Sequence, residues 1–542
     1  MVICAAVVAR ASARSSCRSR LVVVAHSRGF RQRRRCYASV VVSNVYPDVT
    51  ASAACVRTRA LVHGLSRLPP APGARREASR RDRGDVEGWT ATRDGEHHEH
   101  PAAARNAVCY ATSARVAGRE DRRRPFACHP PVRMLHLPPN RGDLMEAHFA
   151  GGSQIDLVVF DRFFAEEAHA SRFRRRFPDA ALVLDMQDMH ALRWGRQHIV
   201  EAWDEKRRRR NPEEDPFGCL QEVLGHLPGV EDDRLLRELA SIHRSDLTLV
   251  CSPYELHLLK SAYDVPEEKL CPASFFVDEE EGGRGDRPPP LPPSPGGDDP
   301  DTGPPPRFVS CGGFRHAPNV DAVRVLLEDV WPRLTRWLPT ATLHVYGAFC
   351  PADLIARYLR DETIFVHGHE PEPAAVFGRD GGILLAPLRF GAGIKGKIVD
   401  AWTFGMPVVT TPVGSEGMTC REGSFGGAVA ATLDDFCDGA VALASRPDAY
   451  RRAQADGRRL LRERFSGSRN WERVQRRLLA ALDETSLARA RRTDTTQAML
   501  WHQSLRSTEY FSRWVELKEQ MVREERKRDG SSPAEAAPLH QG

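Results

Sequence analysis

The sequence predicts an α/β protein built from two Rossmann-like, doubly wound domains that face a cleft. Three observations predict it. Short, continuously apolar runs recur in both halves of the chain, bounded by glycine, proline and small residues, as buried parallel strands require. Stretches with helical apolar spacing separate them. One segment that cannot pack, 279–306, interrupts the alternation, which then starts again. At 542 residues the chain is also longer than one hydrophobic core usually serves.

Residues 1–36 read as a leader. The first 47 residues hold nine arginines and no acid, which resembles an organelle transit peptide. The first domain is expected over 37–278. It opens with a β-branched strand at 38–44 (ASVVVSN), a small-residue loop at 46–57, and helical spacing up to Leu68. Residues from about 69 to 104 are rich in Pro, Arg, Gly and His and read as a disordered insertion. Strands follow at 106–113 and 132–137, then at DLVVF, ending on Asp161, and at ALVLD, ending on Asp185. A helix at 232–244, a strand at 246–252 and a helix at 253–262 complete the domain.

The 279–306 linker starts acidic and continues through PPPLPPSP. The second domain is expected over 307–465. Its strands are RFVSCGG, ATLHVYG, TIFVHG, GGILLAPL and PVVTT, with helices at 319–334, 353–359, from 397, 436–444 and 450–465. Residues 466–528 read as helices packing back on the first domain, and 529–542 as a disordered tail.

Composition narrows the function. Hydrophobic residues make up 41%, enough for sizeable cores. No run of about 18 apolar residues exists, so a soluble chain is expected, with room only for peripheral membrane contact. Net charge is +6, but 72 acids are interspersed among 78 basic residues, which argues against a nucleic-acid partner. Only seven of those 78 are lysines. The 13 cysteines form no CxxC pair and no zinc-ligand spacing, and they fit free thiols in a reducing compartment. A cytoplasmic location is expected, or a plastid or mitochondrion if the arginine-rich start is a transit peptide.

The most informative stretch is APLRFGAGIKGKIVDAWTFGMPVVTTPVGSEG, 386–417. A buried strand runs into a glycine loop that opens a helix. Gly391, Gly393 and Gly396 let the backbone approach a ligand. The free amides of the helix start favour an anion, and Lys395 and Lys397 add positive charge there. Diphosphate binding follows; the alternative is a tight turn with two solvated lysines. Asp400, one turn in, can accept hydrogen bonds from ribose hydroxyls or simply complement the helix dipole. A second strand–glycine–helix passage, CGGFRHAPN, offers Arg315 to phosphate, with Asn319 a contact or a helix cap. In the first domain Asp161, Glu166, Asp185, Asp188 and His190 fall near strand ends, where carboxylates beside a histidine do acid–base work or hold sugar hydroxyls. Arg162, Arg193 and Arg196 lie among these acids and can neutralise them.

These residues resemble the donor-site motif of the glycosyl transferases group 1 family, which has the GT-B fold. The similarity extends to FRHAPNVDAV, LHVYGA and VHGH, to VVFDRFFAEE, VLDMQDMHALR and SIHRSDLTLVCSPYELHLL, and to the late MLWHQSLRSTEYFSRWVE, about 300 residues in all. It implies a UDP- or GDP-sugar donor, used as a substrate with no cofactor, and metal-independent transfer that retains anomeric configuration. Arg315, Gly391, Gly393, Lys395 and Lys397 would hold the diphosphate. Asp400 would hold the ribose, and Gly368 and His369 would line the base. His190 with Asp188 would stand on the catalytic side, with Asp161, Arg162, Glu166 and Arg57 toward the sugar or acceptor.

The chain departs from the family at Cys55, where glycine is expected, and at Asp400, where many relatives carry glutamate. The acceptor (glycan, lipid or protein) is not identified by sequence. Alternative readings are an inactive sugar-nucleotide-binding protein, a GT-B sugar-nucleotide epimerase, or a scaffold using the proline-rich linker.

Overall fold

The computed structural model describes residues 155–277 and 305–528 with four short breaks, and before them several strands, one helix and a few single residues. The insertion, the linker beyond residue 277 and the tail lie outside the described residues.

The first sheet has eight strands: β1 (Arg20–Leu21), β2 (Ser39–Ser43), β3 (Val108–Thr112), β4 (Arg133–His136), β5 (Leu157–Asp161), β6 (Ala181–Asp185), β7 (Leu247–Val250) and β8 (Leu270–Pro272). Their order is β4-β3-β1-β2-β5-β6-β7-β8. Strands β2 and β5 to β8 run parallel, as do β3 and β4. The two-residue β1, inside the stretch read as a leader, is antiparallel to both β2 and β3. It carries no sequence signal at that length.

Alternate strand residues enter two separate cores, as the pleat demands. Val158, Phe160, Leu182 and Leu184 pack with Phe173, Leu192 and Leu235 on one face. Leu157, Val159, Ala181 and Val183 pack with Leu61, Leu65, Val474 and Leu478 on the other. The second face is thus closed partly by the late helix Gly467–Ala481. The helix Thr495–Arg528 also returns to this domain, through hydrogen bonds from Trp501 Nε1 and Gln497 Nε2 to the Arg244 carbonyl.

The second sheet has six strands: β9 (Arg307–Cys311), β10 (Thr342–Tyr346), β11 (Ile364–Gly368), β12 (Ile383–Ala386), β13 (Val408–Thr410) and β14 (Gly427–Val429). All pairings are parallel, in the order β11-β10-β9-β12-β13-β14. Relative to its own first strand this is the 3-2-1-4-5-6 winding of dinucleotide-binding folds. The direction of winding reverses between β9 and β12. The crevice beyond the carboxyl ends of these two strands is where such sheets bind ligands.

The domains are tightly joined. The long helix His190–Arg210 was not anticipated from sequence; it buries only Ala191, Leu192, Arg196 and Val200. Val200, Phe217, Leu220 and Val223 of the first half join the core of the second, beside Phe308, Val323 and Phe436. Arg389, fully buried, hydrogen-bonds both Asp204 of the first domain and Asp321 of the second. Where the chain leaves and re-enters the first domain, Val277 N–H donates to the Phe465 carbonyl and Gly467 N–H to that of Val277. Two α/β domains with parallel sheets, facing across a cleft, form the GT-B architecture.

Candidate active site

The two expected glycine passages meet at the switch point. After β12 the chain turns through Gly391 (φ 152°) and Gly393 (φ 68°) into the helix Gly396–Thr403. After β9, Gly312 and Gly313 lead to the helix Ala317–Val325. Close approach requires glycine at 312, because a Cβ there would lie 2.5 Å from Asn319 Cγ. Asn319 is not the helix cap, a position taken by His316. Its amide instead links the passages: Nδ2 donates to the Gly313 carbonyl at 3.1 Å, and Oδ1 accepts from Lys397 Nζ at 2.7 Å.

Both lysines sit under protein, and neither forms a carboxylate ion pair among the described residues. Lys395 is buried and its Nζ donates to the Gly393 carbonyl at 2.7 Å. Enclosure lowers the Lys397 pKa to about 8 and lowers that of Lys395 too, despite the nearby Glu416. Asp400, on the same helix, is buried, and burial raises its pKa to about 7. Positive charge at a helix start, held below its ordinary proton affinity, is an arrangement that an anion completes.

Arg315 is exposed at the cleft and lies over the Phe349 ring at 3.6 Å. Its neighbour His316 is open to solvent yet ringed by protein. That crowding, with repulsion from Arg193, Lys397 and Arg162, lowers its pKa to about 3. Gly368 adopts φ 71° and has open space where a Cβ would point; His369 beside it is exposed.

The first domain brings its acids to the facing wall. Strand register sets Asp161 beside Asp185 at the ends of β5 and β6. Asp161 lies 4.0 Å from Arg162, whose backbone is held at φ 71°. Such left-handed strain in a non-glycine residue concentrates at functional sites. Asp185 accepts from Gln187 Nε2 at 2.7 Å. His190 Nε2 is 3.4 Å from Asp188 Oδ1, and the ring lies edge-on to Phe163 and Phe164. Burial lowers the His190 pKa to about 4, so the ring is neutral at pH 7. Asp188 is paired with Arg193.

Glu166 is not part of this wall: it is buried against Arg244 and Ser241 Oγ, a structural pair. Arg57 lies outside the described residues. Arg162 and Arg193 neutralise neighbouring acids, but Arg196 does not. It crosses to the second domain, where it grips Glu416 through two hydrogen bonds of 2.7 and 2.8 Å and donates to the Gly391 carbonyl at 2.9 Å.

Sequence reasoning also missed Glu255. Its Oε1 accepts from Met189 N–H at 2.9 Å and from Gly393 N–H at 2.8 Å, joining the first-domain wall to the glycine loop. Burial raises its pKa.

The loop is consequently pressed against the first-domain wall. A Cβ on Gly393 would lie 2.9 Å from Asp188 Cβ. Gly393→Ala adds that clash to left-handed strain, so a stability loss of about 1–2 kcal/mol is expected. Turnover should fall with it. Melting curves and initial rates check both, and an unaltered variant would show that the contact is unimportant.

No helix among the described residues is long and apolar enough to cross a membrane. No curated protein matches the chain. Among solved structures, sucrose-phosphate synthase from Thermosynechococcus elongatus is similar at 15% identity, with a TM-score of 0.44, covering 66% of this chain and 86% of that one. Anabaena HepE, solved with UDP-glucose, is similar at 11% identity and TM-score 0.41, covering 65% and 86%. S. aureus TarM is similar at 13% identity and TM-score 0.41, covering 60% of this chain but only 55% of TarM. At these scores the likenesses do not establish the fold, which rests on the strand order. The family model described as glycosyl transferases group 1 matches residues 305–446. That stretch, about a quarter of the chain, holds the glycine loop, its lysines and all six strands of the second sheet.

Proposed function

We propose that the chain transfers a sugar from a UDP- or GDP-sugar to an acceptor hydroxyl, without a metal and with retention at the anomeric carbon. The observation that carries this reading is the pair of enclosed lysines at the glycine turn of the switch point, where Gly393 of the same loop abuts Asp188 of the first domain. Transfer breaks the bond between the anomeric carbon and the β-phosphate oxygen and forms one to the acceptor oxygen, whose proton is released. Negative charge grows on the departing nucleoside diphosphate. Lys395, Lys397, Arg315 and the amides of the helix start would balance it, the largest electrostatic demand of the reaction. Asp400 would hold the ribose, and the open space at Gly368 and His369 would receive the base. Neutral His190 would contact the transferred sugar, with Asp188, Asp161 and Arg162 beside it. TarM and HepE have been solved with UDP, which supports the choice of UDP as the first probe.

The pH dependence tests the diphosphate site. Lys397 has a pKa of about 8 without ligand, and a bound diphosphate raises it. Binding therefore takes up a proton once the free enzyme has lost it. The Lys397 contribution to UDP affinity should be flat below about pH 8 and fall above it, by at most about tenfold per pH unit for one proton. Calorimetry in buffers of differing ionisation enthalpy reads this directly. A flat affinity from about pH 7 to 9.5 would remove Lys397 from the site.

A further inference from the structure

A second concavity lies between the domains, at the end where the chain crosses from one to the other. It encloses about 540 Å³ and is walled by 250–253 and 272–274 of the first domain, by Gly417 and Cys420 of the second, and by 463–473 of the returning chain. None of the residues assigned to the nucleotide-sugar borders it. The domains touch beside it at Gly417, where a Cβ would lie 3.0 Å from Ser252 Oγ and 3.2 Å from Ile394.

Its charge is one-sided. Arg459, Arg464, Arg469 and Arg473 line it against a single acid, Glu463. Arg459 is held by Asp456 and Ser424. Arg473 makes only a long 3.4 Å hydrogen bond to Asn470 Oδ1. Arg464 and Arg469 make no ion pair among the described residues, and neither is one of the buried, pinned arginines that hold the fold. The 15-residue helix Gly467–Ala481 starts at the same wall, presenting its positive end. Pro253, Leu256, Ala273 and Phe465 add apolar surface, and Ser252, Ser274 and Asn470 add neutral polar groups.

We propose that this pocket is a second binding site, for a small organic phosphate. Several planar guanidinium forks from one stretch of chain, 459–473, match the three oxygens of a phosphate better than a single carboxylate. The volume and apolar walls exceed what a bare anion needs and suit a metabolite-sized body. Such a ligand would touch both domains and the crossing chain at once.

The test is calorimetric titration of the full chain with glucose 6-phosphate, inorganic phosphate and glucose. The phosphate sugar should bind more tightly than inorganic phosphate, and glucose should not bind at up to about 10 mM. The Arg464→Ala/Arg469→Ala variant should raise the dissociation constant for glucose 6-phosphate about tenfold or more, whereas Lys397→Ala should leave it unchanged. Arg469→Glu, a single exposed position, gives the same reading if the double variant is poorly folded. The proposal is overturned if neither phosphate probe binds, if the arginine variants bind them as well as the parent, or if Lys397→Ala abolishes their binding instead.

Discussion

Lys397→Ala is expected to weaken UDP binding by about 10- to 100-fold, the worth of one charge-assisted hydrogen bond. Turnover should drop further, because charge on the leaving diphosphate grows toward the transition state. The fold should survive. Among the described residues the ammonium is paired only with the neutral Asn319 amide, and its lowered pKa means that the protein disfavours the charge. The sign follows from that shift. Between about pH 8 and 10.5 the unfolded chain binds a proton that the folded chain does not, so the wild type gains stability as pH rises through this window. Removing the lysine removes that slope. Titration calorimetry with UDP and melting curves from neutral to alkaline pH measure the two effects separately. A variant that binds UDP like the wild type would withdraw the proposed diphosphate site.

Arg196→Ala is expected to cost about 3–5 kcal/mol, the range for breaking a buried ion pair from one side. The guanidinium is fully buried. Its loss leaves Glu416, 8% exposed at its side chain, without its ion-pair partner. It also removes the Arg196 donor from the Gly391 carbonyl and one of the two donors to the Val223 carbonyl, which keeps the His226 N–H. Because Gly391 belongs to the donor loop, UDP affinity should fall together with stability. Glu416→Gln in the same chain should recover part of the stability, because the orphaned charge is then gone, but not the loop contact. Denaturant unfolding of the two single variants and the double variant checks this. Simple additivity would show that the pair does not act as a unit.

These two residues also mark how far the sequence could be read. Most strands of both sheets were legible because a buried parallel strand is a continuous apolar run, whereas β1, β8 and β14, two or three residues each, were too short to show one. The donor loop was legible because Gly391, Gly393, Lys395 and Lys397 stand close together in the chain. Arg196 and Glu416 are 220 positions apart, and Glu255 and Gly393 are 138 apart. No local pattern announces such pairs. Glu255 reads as an ordinary acid in the first turn of its helix. The helix His190–Arg210 was missed for a related reason: its buried stripe contains Arg196 where an apolar residue would have revealed the period, and it ends in four arginines. Glu166 looked like a neighbour of Asp161, but helix geometry turns it toward Arg244 instead.

The Arg389 contacts bear on how the two lobes move. One of its carboxylates, Asp321, travels with it on the same lobe, while the other, Asp204, belongs to the opposite lobe. Parting the lobes therefore never leaves the guanidinium without an anion, and Asp204 merely swings toward water. Such a latch can be released and refastened repeatedly without the penalty of a bare buried ion.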